Sequence, residues 1–411
     1  MDRLDNPVHR DAWGSTTAIP RLLGVDPDGG PCSELWMGAH PAAPSRVERA
    51  GVTHSLAEVI RADPETELGA AVAGAYGPRL PFLLKVLAAA RPLSLQAHPS
   101  RSQAAAGFAD EERRGVAPDD PGRNYADADH KPEMLCALTE FHALCGFRAV
   151  AETIDLLETL TVPDLDPDLQ ALRSGPDGSG VRRVLDRLLH LPDIERTSLV
   201  QAVSNRCAEL VAADGAHARE AQTVLALADQ HPGDAAVICA LLMNQAILQP
   251  GEAIFLAAGN LHAYLRGVGV EVMASSDNVV RAGLTERHVD VDELLAIVDT
   301  TPGPVPLVTA VAGDDVEVRY PAPVADFRLS RLMLPAGRAY ELAPGRPRIL
   351  LVVDGRLTVT QDGRSMHLGR GQSGFIRAGD PPATLTGAAT AFLVTTSLPV
   401  PGDPGATGAA G

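Results

Sequence analysis

Aromatic side chains are scarce in this sequence, at 4% of 411 residues, so aliphatic side chains must build most of its core. Basic residues are also in the minority: 35 lysines and arginines face 52 aspartates and glutamates, which leaves a formal charge of −17. A basic surface is typical of nucleic-acid-binding proteins, and basic segments bind anionic membranes. We therefore predict neither a nucleic-acid nor a membrane partner, whereas a phosphorylated small molecule needs only a few bases gathered locally.

Cysteine pairs and long apolar runs are missing too. The five cysteines are an odd number and form no CxxC motif, which predicts free thiols and a reducing, cytoplasmic location. The N-terminal residues contain no apolar signal segment. The most apolar stretch, residues 235–248, is too short to span a bilayer and contains Asn244 and Gln245. The composition is otherwise that of an ordinary globular protein.

The chain is long enough for two or three domains, and its pattern changes along its length. We predict a helix from Ser55 to about Ala75, two strands within residues 80–98 and a loop over residues 101–130. Residues 147–249 carry apolar side chains at helical spacing, which predicts a helical block.

The C-terminal part predicts an antiparallel barrel or sandwich. Asp354-Gly355 and Asp362-Gly363 separate short β-rich runs, and Asp-Gly between such runs is typical of a hairpin. Residues 251–259 and 371–379 share the same spacing of glycine and phenylalanine. This echo indicates two copies of one β-barrel unit, with the helical block inserted into the first.

Four short motifs place polar side chains together, because alternate side chains of a strand share a face. In the first motif, Leu95 and Ala97 then point to the core. Each motif alone has a plain structural interpretation: a solvated strand face, a surface turn, a core histidine or a surface ion pair. The side chains that share a face are Ser94, Gln96 and His98; Lys131 and Glu133; His262 and Tyr264; and Asp277 and Arg281.

Taken in order, these motifs resemble those of the type I mannose-6-phosphate isomerases, over roughly three-quarters of the chain. The resemblance implies a mainly β fold of tandem cupin-like barrels (jelly rolls) with an α-helical insertion. The strings that carry it are Ala12-Trp-Gly-Ser15, Glu34-Leu-Trp-Met-Gly-Ala-His40-Pro, Leu80-Pro-Phe-Leu-Leu-Lys85, Gln96-Ala-His98-Pro, Asp129-His-Lys-Pro-Glu133, Gly-Asn-Leu-His262-Ala-Tyr and Asp277-Asn-Val-Val-Arg281-Ala-Gly-Leu-Thr.

The implied domains are a catalytic cupin-like domain (residues 1–146 and 250–320), a helical insertion (147–249), a C-terminal cupin-like barrel (321–400) and a flexible tail (401–411). Two positions depart from the family pattern. Asp11 stands where the family usually has Tyr, and Asp129 where it usually has Asn. The second adds a carboxylate near the site, which we expect to influence Lys131 or the affinity for metal.

The resemblance implies one zinc ion per chain, with Gln96, His98, Glu133 and His262 as its ligands. Two imidazoles, a carboxylate and an amide oxygen suit Zn²⁺ and leave room for water or substrate. Other divalent ions can bind such a mixed set as well.

The implied reaction interconverts D-mannose 6-phosphate and D-fructose 6-phosphate through a cis-enediolate and feeds GDP-mannose synthesis. We assign charge stabilisation to Arg281, because a guanidinium stays protonated, and a part in proton transfer to Lys131. Asp277 orients Arg281 or helps to open the sugar ring. Ser94 and, in second place, Lys85 are assigned to the phosphate. We expect a monomer.

Two other functions stay open at this point. An Fe(II) oxygenase of the same fold would normally use a facial carboxylate set, and the amide of Gln96 speaks against it. A non-catalytic sugar-phosphate-binding protein could keep the metal site, but Arg281 and Lys131 are both present. Formation of fructose 6-phosphate in a coupled assay separates these alternatives.

Overall fold

The computed structural model describes residues 1–399, so the predicted tail at residues 401–411 lies outside the described residues. The strands are β1 Asp2–Leu4, β2 Val8–His9, β3 Glu34–Gly38, β4 Arg46–Arg49, β5 Val52–Ser55, β6 Phe82–Ala89, β7 Leu95–Ala97, β8 Glu133–Ala137, β9 Phe141–Phe147, β10 Met243–Leu248, β11 Ala253–Leu256, β12 His262–Ala274, β13 Val280–Gly283, β14 Val311–Ala312, β15 Glu317–Tyr320, β16 Arg328–Leu334, β17 Ala339–Leu342, β18 Arg348–Gln361, β19 Arg364–Gly369, β20 Ser373–Ile376 and β21 Ala383–Thr395. The helices are α1 Ala18–Leu23, α2 Leu56–Ala62, α3 Pro64–Leu68, α4 Ala70–Tyr76, α5 Arg101–Arg114, α6 Val150–Leu160, α7 Asp166–Ser174, α8 Ser179–Leu189, α9 Asp193–Ala212, α10 Ala218–Gln230, α11 Ala236–Cys239 and α12 Val291–Ile297.

One ten-stranded antiparallel sheet carries the polar motifs. Its path runs β10-β9-β12-β6-β3-β2, and β7, β8, β11 and β13 pair beside this path. The long strand β12 joins its two halves, because His262 pairs with Gln96 at one end and Met273 with Glu133 at the other. Arg281 of β13 pairs with Gln96 from the other side. Motifs far apart in sequence therefore meet on neighbouring strands.

A second, nine-stranded antiparallel sheet has a path in the order β1-β20-β18-β21-β16-β15-β14, with β17 paired to β21 and β19 paired to β18 beside it. The Asp362-Gly363 hairpin is confirmed, since these residues form the turn between β18 and β19. The hairpin at Asp354-Gly355 is wrong, because β18 runs straight through it with a shift of register after Val352. Gly355 has φ of 76°, and an added Cβ would lie 2.1 Å from the carbonyl oxygen of Ala388. The glycine serves a bulge against β21, not a turn.

The helical block is confirmed over residues 150–239, where α6 to α11 lie. Its last part is wrong, because residues 243–248 form β10, which pairs with β9 in the ten-stranded sheet. The predicted loop at 101–130 is partly wrong, because its first half is α5. That helix begins with a capping box between Ser100 and Gln103 and ends at Gly115 in the left-handed region. Ser-x-x-Gln is a sequence signal for the start of a helix, and here it outweighs the polar composition, which predicts a loop. The helix expected over 55–75 is divided into α2, α3 and α4 at Asp63 and Gly69.

The helical block packs directly behind the strands that carry the polar motifs. Leu95 and Ala97 are fully buried in one core with helix residues such as Leu172 and Val203. A buried leucine of this kind stabilises the fold by roughly 1.5–3 kcal/mol, so β7 is held firmly from behind. Among residues 1–399, no helix is both long and apolar enough to cross a bilayer.

Candidate metal centre

Three buried side chains meet at the centre of the ten-stranded sheet. The ligand atoms that His98, Glu133 and His262 offer all lie within 4.8 Å of one another. Nε2 of His98 is 3.3 Å from one carboxylate oxygen of Glu133, and Nε2 of His262 is 3.5 Å from the other. A carboxylate between two imidazoles is typical of a site for a divalent metal ion.

The backbone orients both imidazoles. Nδ1 of His98 lies 2.8 Å from the carbonyl oxygen of Asn278, and Nδ1 of His262 lies 3.0 Å from that of Asn260. A carbonyl only accepts, so each Nδ1 carries the hydrogen and each Nε2 presents its lone pair. Burial, and then the charge of Lys131, lower the pKa of His98 to about 4. The imidazole is therefore neutral, and the lone pair of its Nε2 is available to a metal ion. This nitrogen is buried without a hydrogen-bond partner.

Gln96 borders the same cluster. One end of its amide lies 3.4 Å from Nε2 of His262, and the oxygen at the other end accepts a hydrogen bond of 3.2 Å from Oγ of Ser94. A half-turn of the amide exchanges oxygen and nitrogen, so the oxygen can face the cluster. Ser94, Gln96 and His98 thus lie together as strand alternation predicts.

Glu133 is held in its charged form by its neighbours. Burial alone would raise its pKa, but the ammonium of Lys131 outweighs burial and holds the pKa well below its usual range. Nζ of Lys131 lies 2.9 Å from the carboxylate. A permanently ionised carboxylate is what a cation site needs.

Lys85 belongs to a second buried group beside the first. Its Nζ lies 3.4 Å from both Glu34 and Glu271, and 5.0 Å from the centre of the Trp36 ring. The indole N–H of Trp36 donates a hydrogen bond of 2.7 Å to Glu34. Burial, and then the charge of Glu133, raise the pKa of Glu271 to about 7. Glu34 and Glu271 were not predicted as site residues, because only the pairing of β3 and β12 with β6 brings them to Lys85.

A cavity of about 580 Å³ opens beside Gln96 and Lys131, which both lie on its wall. Three guanidiniums, an ammonium and two hydroxyls line it beside three carboxylates, in a chain with a large negative charge. Burial, and then the nearby Arg287, lower the pKa of Arg281, which still stays protonated at neutral pH. The polar side chains on its wall that the argument uses are Glu34, Ser94, Gln96, Lys131, Arg281 and Arg287.

Two predicted acidic residues lie at the edge of this arrangement. The ion pair of Asp277 is with His40, at 3.4 Å, and its side chain is half exposed. The carboxylate of Asp129 pairs with Arg79 at 2.9 Å and Arg101 at 2.6 Å. Its charge is therefore engaged by guanidiniums and is not directed at Lys131. Asp11, the other departure from the family pattern, lies on the cavity wall.

Asn278 is a buried residue whose importance the sequence did not reveal. Its side-chain amide donates to the carbonyls of Asp127 and Asp129 at 2.8 and 2.7 Å, and its side-chain oxygen accepts from the amide of Ala126 at 2.8 Å. Its own carbonyl orients His98. One residue thus joins His98 to the loop that precedes Lys131.

Comparison with known proteins places the chain in a family. Residues 1–150 match the family model described as phosphomannose isomerase type I, catalytic domain. The mannose-6-phosphate isomerase of Escherichia coli (strain K12) is 39% identical over 390 residues, which cover 94% of this chain and 97% of that protein. This chain belongs to the type I phosphomannose isomerases.

Solved structures of phosphomannose isomerases agree in fold. A crystal structure of a variant from Salmonella typhimurium has a TM-score of 0.88 at 35% identity and covers 97% of this chain and 100% of that one. A mannose 6-phosphate isomerase structure described as holo and zinc bound has a TM-score of 0.87 at 36% identity, covering 97% and 99%. The family resemblance carried by the motifs is confirmed.

Proposed function

We propose that this chain is a zinc-dependent aldose–ketose isomerase that interconverts D-mannose 6-phosphate and D-fructose 6-phosphate. The observation that carries the proposal is the buried His98–Glu133–His262 cluster beside a cavity with Arg281 and Arg287, in a phosphomannose isomerase fold. A coupled assay for fructose 6-phosphate tests it with zinc-loaded protein. Absence of turnover in protein that holds one zinc per chain would favour the non-catalytic sugar-phosphate-binding alternative.

Gln96, His98, Glu133 and His262 are the residues that would hold Zn²⁺, one ion per chain. The orphaned Nε2 of His98 and the ionised carboxylate of Glu133 fit this role, since both need an electrophile in a buried place. When bound, zinc polarises oxygens of the sugar and helps to hold them.

Zinc uptake by metal-free protein is expected to release roughly one proton near pH 6 and progressively fewer as the pH rises through 7. The pKa of Glu271 is about 7 because of burial and the negative charge of Glu133, and added positive charge lowers it. His98, with a pKa of about 4, is already neutral and releases none. Calorimetry in buffers of different ionisation enthalpy measures the release at each pH.

The Glu271→Gln variant is the control for this measurement. Any proton lost from zinc-bound water persists in the variant and increases with pH, so the difference between the two proteins isolates Glu271. A release that is the same in both proteins at pH 6 contradicts the assignment.

The phosphate group of the substrate is bound by Ser94 and Arg287 in this proposal. Both line the cavity, and a guanidinium matches phosphate oxygens in geometry and charge. Lys85, our second candidate from the sequence, is instead engaged by two carboxylates, Glu34 and Glu271. We infer that it balances their charge behind the sugar.

The reaction moves a proton from C2 to C1 through a cis-enediolate. In our proposal Lys131 first gives up its ammonium proton to solvent; its neutral Nζ then accepts the proton from C2 and returns it at C1, while the hydroxyl proton passes from O2 to O1. Arg281 stabilises the negative charge that develops on the oxygens. Asp277, which pairs with His40 instead of Arg281, takes part in opening the ring. The positions of Lys131 and Arg281 support these roles, because both residues line the cavity.

Arg281→Ala is expected to fold, to keep one zinc per chain and to lose about 10²–10³-fold in kcat, as when a donor to a developing oxyanion is removed. Arg281→Lys should recover part of the loss, because charge returns without the planar fork. Metal analysis and steady-state kinetics measure these effects. Arg266→Ala, an exposed arginine of β12, is the matched control. Near-normal turnover of Arg281→Ala would remove this residue from the mechanism.

We propose that the two sheets are tandem cupin-like barrels, with a helical insertion in the first that ends before β10, since β10 pairs with β9 in the ten-stranded sheet. The echoing segments support this, because they form β11 and β20, each preceded by a glycine of positive φ, Gly251 and Gly371. We start the second barrel at residue 311 instead of 321, since β14 and β15 pair with β16 in the nine-stranded sheet.

We further propose that the enzyme works as a monomer in the cytoplasm. Its five cysteines are free and buried, which fits a reducing compartment. Analytical ultracentrifugation of the zinc-loaded protein measures its oligomeric state. A dimer at micromolar protein concentration would contradict the proposed monomer.

A further inference from the structure

Asp326 is a buried carboxylate that the C-terminal unit directs towards the catalytic sheet. One of its oxygens lies 3.3 Å from Nη2 of Arg101, and the other lies 3.0 Å from Nε2 of His130. The preceding carbonyl, of Ala325, accepts hydrogen bonds of 2.8 Å from Oγ1 of Thr396 and 3.0 Å from the amide of Ser397. Asp326 is therefore anchored to the end of β21 and is not on a free loop.

The two partners of Asp326 belong to the two segments that matter most for the site. Arg101 begins α5, three residues after His98. His130 directly precedes Lys131 and comes three residues before Glu133. The carboxylate of Asp326 thus contacts both the segment that follows His98 and the segment that precedes Glu133.

The partners also lie against each other. Nη2 of Arg101 is 2.7 Å from Nε2 of His130, which accepts no hydrogen bond from it while Nε2 donates to Asp326. Nη1 of Arg101 donates to Asp129 at 2.6 Å. Asp129 in turn pairs with Arg79, at 2.9 Å. Arg79 comes from the segment after α4, so four separate stretches of chain converge on this network. The imidazole of His130 is directed at Asp326, and neither residue belongs to the wall of the sugar cavity.

We propose that Asp326 is a positioning residue, by which the C-terminal unit fixes His98, Lys131 and Glu133 in their working geometry. This inference rests on the proposed isomerase function. Loss of the carboxylate removes the charged acceptor that His130 and Arg101 share, so the two segments gain freedom relative to each other. Displacements well below 1 Å then lower turnover without removing any group that touches the sugar.

The test uses the full-length, zinc-loaded protein with Asp326→Asn, which keeps the size and removes the charge. We expect kcat to fall about tenfold with KM changed less than about twofold, and zinc to pass to a chelator about tenfold faster. Asp326→Glu should recover part of both losses. Asp168→Asn is the matched control, because Asp168 is a buried carboxylate that pairs with Arg187 inside the helical block.

The control separates positioning from general stability. Asp168→Asn should lower the melting temperature while leaving kcat and the rate of zinc transfer unchanged. The proposal is overturned if Asp326→Asn keeps normal kcat and zinc transfer, or if Asp168→Asn lowers them equally. If Asp326→Asn fails to fold, Arg101→Gln and His130→Gln carry the same test. Should the wild type show no isomerase activity, zinc transfer still tests the positioning role by itself.

Discussion

The His98→Ala variant is expected to lose its zinc and at least about 10³-fold in turnover together. Nε2 of His98 is a neutral, buried lone pair with no other partner, so a metal ion is the group that satisfies it. With the imidazole removed, Glu133, His262 and the weakly donating amide of Gln96 remain, which is too weak a set for tight binding. Metal analysis after dialysis and a fructose 6-phosphate assay measure the two effects on one sample.

His142→Ala is the matched control for this experiment. His142 is a histidine of β9 in the same sheet, and its partner is the exposed Glu140. The control should keep zinc, turnover and melting temperature close to those of the wild type. Stoichiometric zinc in His98→Ala that folds normally would refute the ligand assignment.

Lys131→Met is expected to lower kcat by about 10³-fold while one zinc per chain remains bound. Methionine fills the space of the lysine stem but neither accepts nor returns a proton. Glu133 loses its partner at 2.9 Å, but the bound cation compensates its charge. Zinc content, circular dichroism and steady-state kinetics at several pH values check this expectation.

Lys131→Arg separates the two roles that an ammonium can have. Arginine supplies positive charge near Glu133 but stays protonated, so it cannot take a proton from C2. If Lys131 carries the proton, Lys131→Arg remains about as slow as Lys131→Met. Recovery to within a few-fold of the wild type would instead assign Lys131 to charge stabilisation alone.

The alternation of side chains along a strand was enough to predict which neighbouring residues of the site lie together. Two-residue alternation along β7 places Ser94, Gln96 and His98 together, because successive side chains of any strand point to opposite faces. The same rule places Lys131 beside Glu133, at 2.9 Å. The capping box of α5 was readable as well but was missed, because the polar composition of the segment outweighed a short local signal.

Long-range pairing determined the rest. Glu271 lies opposite Lys85 only because β12 and β6 pair in one register, and a shift by one residue would turn Glu271 to the other face. The side-chain pattern within either strand does not predict how the two strands are aligned. The same holds for Asp326, which lies more than 190 residues from its partner His130.

The sequence by itself determined the family, the order of the motifs and the residues proposed as metal ligands, because these depend on residue identity and short spacing. The tertiary structure decided which residues orient these side chains and which charges surround them. Asn278 orients His98, Glu34 and Glu271 surround Lys85, and Asp326 ties the C-terminal unit to the site. The physical reason is burial: charges and hydrogen bonds acquire their strength only where packing excludes water, and packing is a property of the whole fold.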